Sequence, residues 1–164
     1  MRKKVSELPA YQQALGLLVR REHSQRELKR KLTQRGKEAE EIEAALETLS
    51  RQDFQNDERF AQALSRSRQS AGYGPVRIRA ELCQHALDGE VVEQAMAALA
   101  CDWLEMAKDL VERRYLRKIQ ADPAQARKAV DFLLRRGFDT RTAYAAARVR
   151  DWAEDAENLP EDPE

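Results

Sequence analysis

Lysines and arginines are the residues of this sequence whose number and spacing point to chemistry. Arg20, Arg21, Arg26, Lys29, Arg30, Lys31 and Arg35 crowd into sixteen positions, with only Glu22 and Glu27 to offset them. Arg66, Arg68, Arg77 and Arg79 form a second group. Arg113, Arg114, Arg117 and Lys118 form a third, followed by Arg127, Lys128, Arg135 and Arg136. Cationic side chains at this density bind phosphates or carboxylates, and each phosphate contact makes binding salt-sensitive. The formal net charge of zero hides the asymmetry. All 29 bases fall within residues 1–150, against 22 acids, so that body carries +7; residues 151–164 hold seven acids and no base. This is the distribution of a protein that meets a polyanion or an acidic protein face. The plainer alternative is that the bases solvate outer helix faces and the acidic end serves solubility. Segregation of charge favours a patch, because Glu38, Glu40, Glu41, Glu43 and Glu47 gather on a segment of their own.

Catalysis finds no comparable support. There is no GxGxxG, Walker loop, HExxH or GxSxG. Gly72-Tyr73-Gly74-Pro75 has two glycines, but Pro75 removes a backbone donor that a phosphate cradle would use, so the segment reads as a helix-breaking turn. His23 and His85 are the only histidines. His85 falls on the face of Ile78 and Leu82 and reads as a partly buried core residue. A Cys83/His85/Cys101 metal site would lack a fourth ligand and the usual pair spacing. No metal, no cofactor and no enzymatic activity are expected. Cys83 and Cys101, without a CxxC, fit reduced thiols in a cytoplasmic protein. No apolar stretch approaches the ~20 residues of a membrane span, and Arg2, Lys3 and Lys4 are not followed by the apolar core of a signal peptide.

The elements that must position these residues are helical and repeated. Leu28, Leu32, Ile42, Leu46 and Leu49 map onto Ile78, Leu82, Val92, Met96 and Leu99 at a fixed offset of fifty, apolar for apolar. A period of that size marks an array of small supersecondary units, each unable to bury its own apolar face. A looser third copy aligns Leu133 with Leu82, Phe138 with Leu87 and Asp139 with Asp88 at an offset of 51, with Ala143 and Ala147 replacing larger residues.

Start and stop signals divide each copy into three helices. The first helix is expected over Ala10–Glu22, with a stripe of Ala14, Leu15, Leu18 and Val19. Ser24 and Glu27 stand at capping-box spacing, which would satisfy two orphan amides reciprocally; Gly36 ends that second helix. The third spans Ala39–Arg51. In the second copy, Asn56 or Asp57 caps a helix carrying Phe60, Ala63 and Leu64. Pro75 sits at the first position of the next, and Asp88 caps the last. In the third, Asp102 and Glu105 repeat the capping-box spacing, Leu104, Ala107, Leu110 and Val111 make a stripe, and Asp122-Pro123 opens a helix with Pro at its first position. The final helix is expected to reach Trp152. The fold expected is all-α: three tandem three-helix repeats in an elongated, curved array. Their bounds are 10–54, 55–101 and 102–152, between a flexible segment at 1–9 and an acidic tail at 153–164.

Four segments, in order, resemble one family. Tyr73-Gly74-Pro75-Val76-Arg77-Ile78-Arg79-Ala80-Glu81-Leu82 is similar to the YGPxRIxxEL signature of the RecX regulatory proteins. Asn56-Asp57-Glu58-Arg59-Phe60-Ala61, Ser24-Gln25-Arg26-Glu27-Leu28-Lys29-Arg30-Lys31-Leu32 and Phe132-Leu133-Leu134-Arg135-Arg136-Gly137-Phe138 resemble its D-x-RFA, S-x-x-EL-x-x-KL and FLxRRGF segments. The resemblance implies three three-helix repeats and a non-enzymatic protein that binds the RecA recombinase on its DNA filament. Such proteins curb RecA ATP hydrolysis, strand exchange and filament growth. Some members of that family also bind DNA, so single- and double-stranded DNA are candidate further partners. Independently of the resemblance, a monomer in the cytoplasm with no membrane contact is expected. The acidic tail is less typical of the family, so no role for it follows.

Arg77 and Arg79, flanking the Ile78/Leu82 stripe, are the first choice for partner contact. Lys29, Arg30, Arg26, Arg113, Arg114, Arg135 and Arg136 follow. Tyr73, Gly74, Pro75, Ile78, Leu82 and Phe60 are expected to be structural. The competing reading is a direct DNA-binding helical module, which predicts tight, salt-dependent DNA binding without any recombinase. The body's modest +7 and the lack of Asn or Gln at helix starts speak against it. An inert repeat scaffold for an unrelated partner is the remaining alternative.

Overall fold

The computed structural model describes residues 8–147. Among them it contains nine α-helices and no strand. These are α1 (Ala10–Leu18), α2 (Gln25–Gln34), α3 (Ala39–Arg51), α4 (Asp57–Ser70), α5 (Pro75–Cys83), α6 (Gly89–Ala97), α7 (Trp103–Ala121), α8 (Gln125–Arg135) and α9 (Thr140–Ala147). The architecture is an all-α tandem helical repeat, with α1–α3, α4–α6 and α7–α9 as successive copies. Residues 1–7, Trp152 and the acidic tail lie outside the described residues, as does any extension of α9 beyond Ala147.

The chain forms two compact units, whose limits fall inside α4 and α5. One comprises the residues up to Ser67 together with Glu81–Ala98; the other comprises Arg68–Ala80 and the residues from Leu99 onward.

In the first unit the core unites Ala10, Ala14 and Leu17 of α1, Leu28 and Leu32 of α2, and Ile42, Ala45, Leu46 and Leu49 of α3. The i, i+3, i+4 spacing on each helix puts these residues on one face, and removing that face from water is what holds the helices together. The expected stripe on α1 is displaced. Val19 is 81% exposed, Leu15 and Leu18 are half-buried, and Leu17 and Gln13 point inward instead. The run Leu15-Gly16-Leu17-Leu18-Val19 offers apolar side chains on every face, so periodicity alone does not choose the buried one. The helix also stops at Leu18 rather than Glu22. The chain must turn before Ser24, whose extended backbone and side-chain oxygen (3.1 Å from the Glu27 amide) cap α2. Only half of the expected capping box forms, because the Glu27 carboxylate turns away to Arg21.

In the second unit the core runs from Ala107, Val111 and Tyr115 of α7 through Ala129, Val130, Phe132 and Leu133 of α8 to Phe138 and then Ala143, Ala146 and Ala147 of α9. Alanine stands where the first copy has Leu28, Ile42 and Leu46. The lost volume is made up by aromatics: Tyr115 and Phe132 pack with centroids 5.6 Å apart, and Trp103 meets Phe138 at 6.5 Å, edge to face. The start of α8 also differs from expectation. Asp122 caps a turn by accepting from the Ala124 amide, and the α-helix begins at Gln125, two residues after Pro123.

The fifty-residue correspondence holds in three dimensions. Ile78 and Leu82 are fully buried like Leu28 and Leu32; Val92 and Leu99 are buried and Met96 half-buried. It extends to the turn between the second and third helices of each copy. Gly36 and Gly137 adopt φ of +80° and +83°. Each closes a Schellman cap, with Lys37 N–H donating to Leu32 C=O and Phe138 N–H to Leu133 C=O at 3.1 Å. At the same position in the second copy stands Ala86, held at φ +53°. A β-carbon there costs on the order of 1–2 kcal/mol. Ala86→Gly is therefore expected to stabilise the protein by about 0.5–1 kcal/mol, after subtracting the greater freedom of an unfolded glycine. The urea unfolding midpoint measures this; no change or a fall would mean that the Ala86 turn carries no strain.

Candidate functional site

In the second unit, two of the sequence segments singled out above meet backbone to backbone. The Gly74 amide donates to Arg136 C=O at 2.8 Å, and the Val76 amide donates to Gly137 C=O at 3.0 Å. The orphan N–H groups that open α5 are thus satisfied by the carbonyls that close α8, positive helix end against negative. The approach depends on two missing side chains. A β-carbon at position 74 would lie 2.4 Å from the Gly137 carbonyl oxygen, and one at Gly137 would lie 2.2 Å from the Arg77 β-carbon. Pro75 at the first position of α5 has no N–H left to satisfy.

This docking assembles an arginine–aromatic cluster. The half-buried Tyr73 ring carries the Arg77 guanidinium 4.5 Å from its centroid and that of Arg136 at 5.0 Å. Arg136 also lies 5.2 Å from the Phe132 ring, which Arg114 meets at 5.0 Å. Arg136 Nη1 donates to Ala71 C=O at 2.6 Å, so this guanidinium also ties the turn down. Arg77 makes a longer bond, 3.4 Å, to Arg135 C=O. Of the residues proposed from sequence, Arg77, Arg114, Arg135 and Arg136 therefore share one locality with Tyr73, Gly74 and Pro75. Arg79 is exposed on α5. Arg113 is paired with Asp109 at 2.8 Å. The role of Phe132 as a second cation-bearing ring was not read from sequence, although its place one turn before Arg136 carried the signal.

In the first unit Lys29 is paired with Glu43. Arg26 and Arg30, one turn apart on α2, line an open cleft with Glu27, Gln84 and His85. Behind it lies a polar network. The buried Glu27 carboxylate takes Arg21 at 2.5 and 3.0 Å, with Lys31 at 3.5 Å and His23 at 3.8 Å. Burial pushes the Glu27 pKa up, but the Arg21 hydrogen bond and the charges around it outweigh this and hold it below the usual range. The buried His23 ring donates from Nδ1 to Arg21 C=O at 2.9 Å. His85, in the turn after α5 rather than on it, bonds Ser24 Oγ at 2.8 Å and packs on Phe60 at 4.6 Å. Phe60 is buried, with 3% of its surface exposed. Burial holds both histidines below their ordinary pKa, against the attraction of Glu27.

Two expectations follow. Gly74→Ala should destabilise by about 1–3 kcal/mol through overpacking against Gly137. Gly16→Ala, in the exposed face of α1 with open space around it, should stabilise by about 0.5–1 kcal/mol. Thermal melts of the two variants make the comparison, and equal effects would refute the close approach. The second concerns pH. The unfolded histidines gain protons below pH ~6.5 that the folded ones refuse, so stability is full above that value and falls as pH drops through the lowered folded values. Glu27 adds a second loss below pH ~4.5, as its depressed folded value is approached. Urea titrations of a His23→Asn/His85→Asn variant should lose the upper phase and keep the lower one.

Comparison with known proteins agrees with this architecture. The first, second and third three-helix domains of RecX match residues 10–49, 56–96 and 101–146. The chain is 51% identical over 137 residues to Regulatory protein RecX of Xanthomonas oryzae pv. oryzae, covering 84% of this chain and 86% of the relative. The corresponding protein of Xanthomonas campestris pv. campestris is 53% identical (84% and 85% covered), and that of Stenotrophomonas maltophilia 52% (84% of each). Crystallographic RecX from Lactobacillus salivarius superposes with a TM-score of 0.70 at 21% identity, over 92% of this chain and 96% of that one. At that identity the superposition speaks for the fold alone. With all three domains matched in order and half of the residues shared over most of its length, the chain belongs to the RecX family of regulatory proteins.

Proposed function

We propose that this chain binds the RecA recombinase on its DNA filament and lowers ATP hydrolysis, strand exchange and filament growth by binding rather than by catalysis. Family membership supports the regulatory role. The observation that carries the contact is the cluster of Arg77, Arg114 and Arg136 against Tyr73 and Phe132, with Arg135 beside it. A guanidinium lying on an aromatic ring has lost part of its freedom before any partner arrives. Its N–H fork is pre-organised for a carboxylate or phosphate, which reduces the entropy cost of binding. A binder that touches a polymer in one of its geometries more strongly than in another shifts the polymer's equilibrium and needs no chemistry to regulate it. The chain would act as a monomer in the cytoplasm. No helix among the described residues is long and apolar enough to cross a membrane.

Single-stranded-DNA-stimulated ATP hydrolysis by the cognate RecA, titrated with the full chain, tests this directly. Wild type should inhibit. Arg77→Glu/Arg135→Glu should require about tenfold more protein, a loss of roughly 1.4 kcal/mol. No inhibition by saturating wild type would refute the proposal, and full potency of the variant would refute the site.

A further inference from the structure

The surplus positive charge of the body sits in one of its two units. Residues 68–80 and 99–150 hold fifteen bases and seven acids, a balance of +8. Residues 1–67 and 81–98 hold fourteen bases and fifteen acids, a balance of −1. Five of the seven acids in the second unit have local duties. Asp102 and Asp139 cap α7 and α9, and Asp122 caps the turn before α8. Glu105 pairs with Lys108, and Asp109 with Arg113. The chain then continues into residues 151–164, with seven acids and no base. Their charge nearly cancels that of the unit they follow.

The arginine–aromatic cluster is the surface in this unit best suited to receive them. Arg77 and Arg114 are exposed and Arg136 is half-buried; they come from α5, α7 and the end of α8. Each lies on the Tyr73 or Phe132 ring, 4.5 to 5.2 Å from a centroid. Stacking uses the face of a guanidinium. Its N–H groups lie in the plane, in the fork that matches a carboxylate. Arg136 commits only Nη1, to the carbonyls of the turn at Ala71 and Gly72. Three forks from three elements suit a peptide with several carboxylates better than a lone acid. Val76 and Leu134, next in sequence to Arg77 and Arg135, stay 56% and 39% exposed. Residues 151–164 carry Trp152 and Leu159 among their acids, as apolar counterparts.

The distance to be covered is short. α9 begins three residues after Gly137, and its eight residues rise about 12 Å. Ala147 is therefore about one such helix away from the turn that holds Arg136. Residues 148–154 span up to ~23 Å when extended, which puts Glu154, Asp155 and Glu157 within range of the cluster. A segment on so short a tether is presented at an effective concentration on the order of millimolar, so even a weak contact is populated.

We propose that residues 151–164 dock on the Arg77/Arg114/Arg136 cluster of the same chain and compete there with an outside partner. The docking needs no recombinase. The competition rests on the filament-binding reading above, since it names a regulator of that site.

The arginine Nε–Hε spectrum of the full chain at low salt tests the docking. The comparison is a variant with Glu154→Gln, Asp155→Asn, Glu157→Gln, Glu161→Gln and Asp162→Asn. The Arg77, Arg114 and Arg136 signals should differ between the two proteins. Salt at about 0.5 M should bring the wild-type signals to those of the variant. A synthetic peptide of residues 151–164, added to the variant at millimolar concentration, should restore the wild-type positions. Identical signals in the two proteins would overturn the proposal, as would differences confined to Arg20, Arg26 and Arg30 of the first unit. In the RecA ATPase titration the variant should inhibit at about three- to tenfold lower concentration, because more of its sites are open. Equal potency of two inhibiting proteins would overturn the competition. If neither protein inhibits, the filament-binding reading falls, and the arginine spectrum still decides the docking.

Discussion

The approach of the Gly74 turn to the Gly137 turn is the constraint on which the arginine–aromatic cluster depends. Two backbone hydrogen bonds form there only because neither residue has a β-carbon. They set α5 against the end of α8 and bring Tyr73 and Arg77 to Arg136 and Phe132, which lie 55 to 63 positions further along the sequence. Arg136 closes the arrangement by bonding to Ala71 C=O. The glycines are needed for steric reasons, the proline because its missing amide has no partner to lose, and the arginines because the rings lie beneath them. A single close contact thus accounts for why Tyr-Gly-Pro and Arg-Arg-Gly-Phe both occur in this chain.

Charge is used in two ways that composition cannot separate. Some cations hold the fold. Arg21 and Lys31 neutralise Glu27, and Arg59 ties Glu22 to the Asp53–Phe54 turn. Others, Arg77, Arg114 and Arg136, rest on the rings of Tyr73 and Phe132. Exposed pairs such as Lys29–Glu43 and Arg113–Asp109 add little stability, of order 0–1 kcal/mol each, because water screens both partners. Both bases stay exposed beside an acid, whereas Arg77, Arg114 and Arg136 lie against aromatic rings; composition alone does not separate the two settings.

Helix type and the fifty-residue repeat were legible because both are periodic. Leu28/Ile78 and Leu32/Leu82 keep period and burial together, and Gly36 and Gly137 announce their turns by being glycine. The stripe on α1 was misread because its apolar run surrounds the helix. The capping box at Ser24 was half wrong because a long-range demand, the buried carboxylate's need for Arg21, overrode the local pattern. The docking of residue 74 on residue 137 was not legible at all. The glycines were visible, but a close approach across 63 positions leaves no periodic trace. Ala86 shows the same limit from the other side: its left-handed backbone is imposed by the repeat and contradicts its residue type.

Native-state hydrogen exchange of the Gly74 and Val76 amides measures the central contact most directly. Both lie at a turn and a helix start, where isolated amides exchange freely. If they bond to Arg136 and Gly137 as described, they should exchange as slowly as the core amides of Leu133 and Phe138, opening only with the surrounding unit. Exchange at the rate of exposed turn amides would contradict the docking, and with it the placement of Tyr73, Arg77 and Arg136 as one cluster.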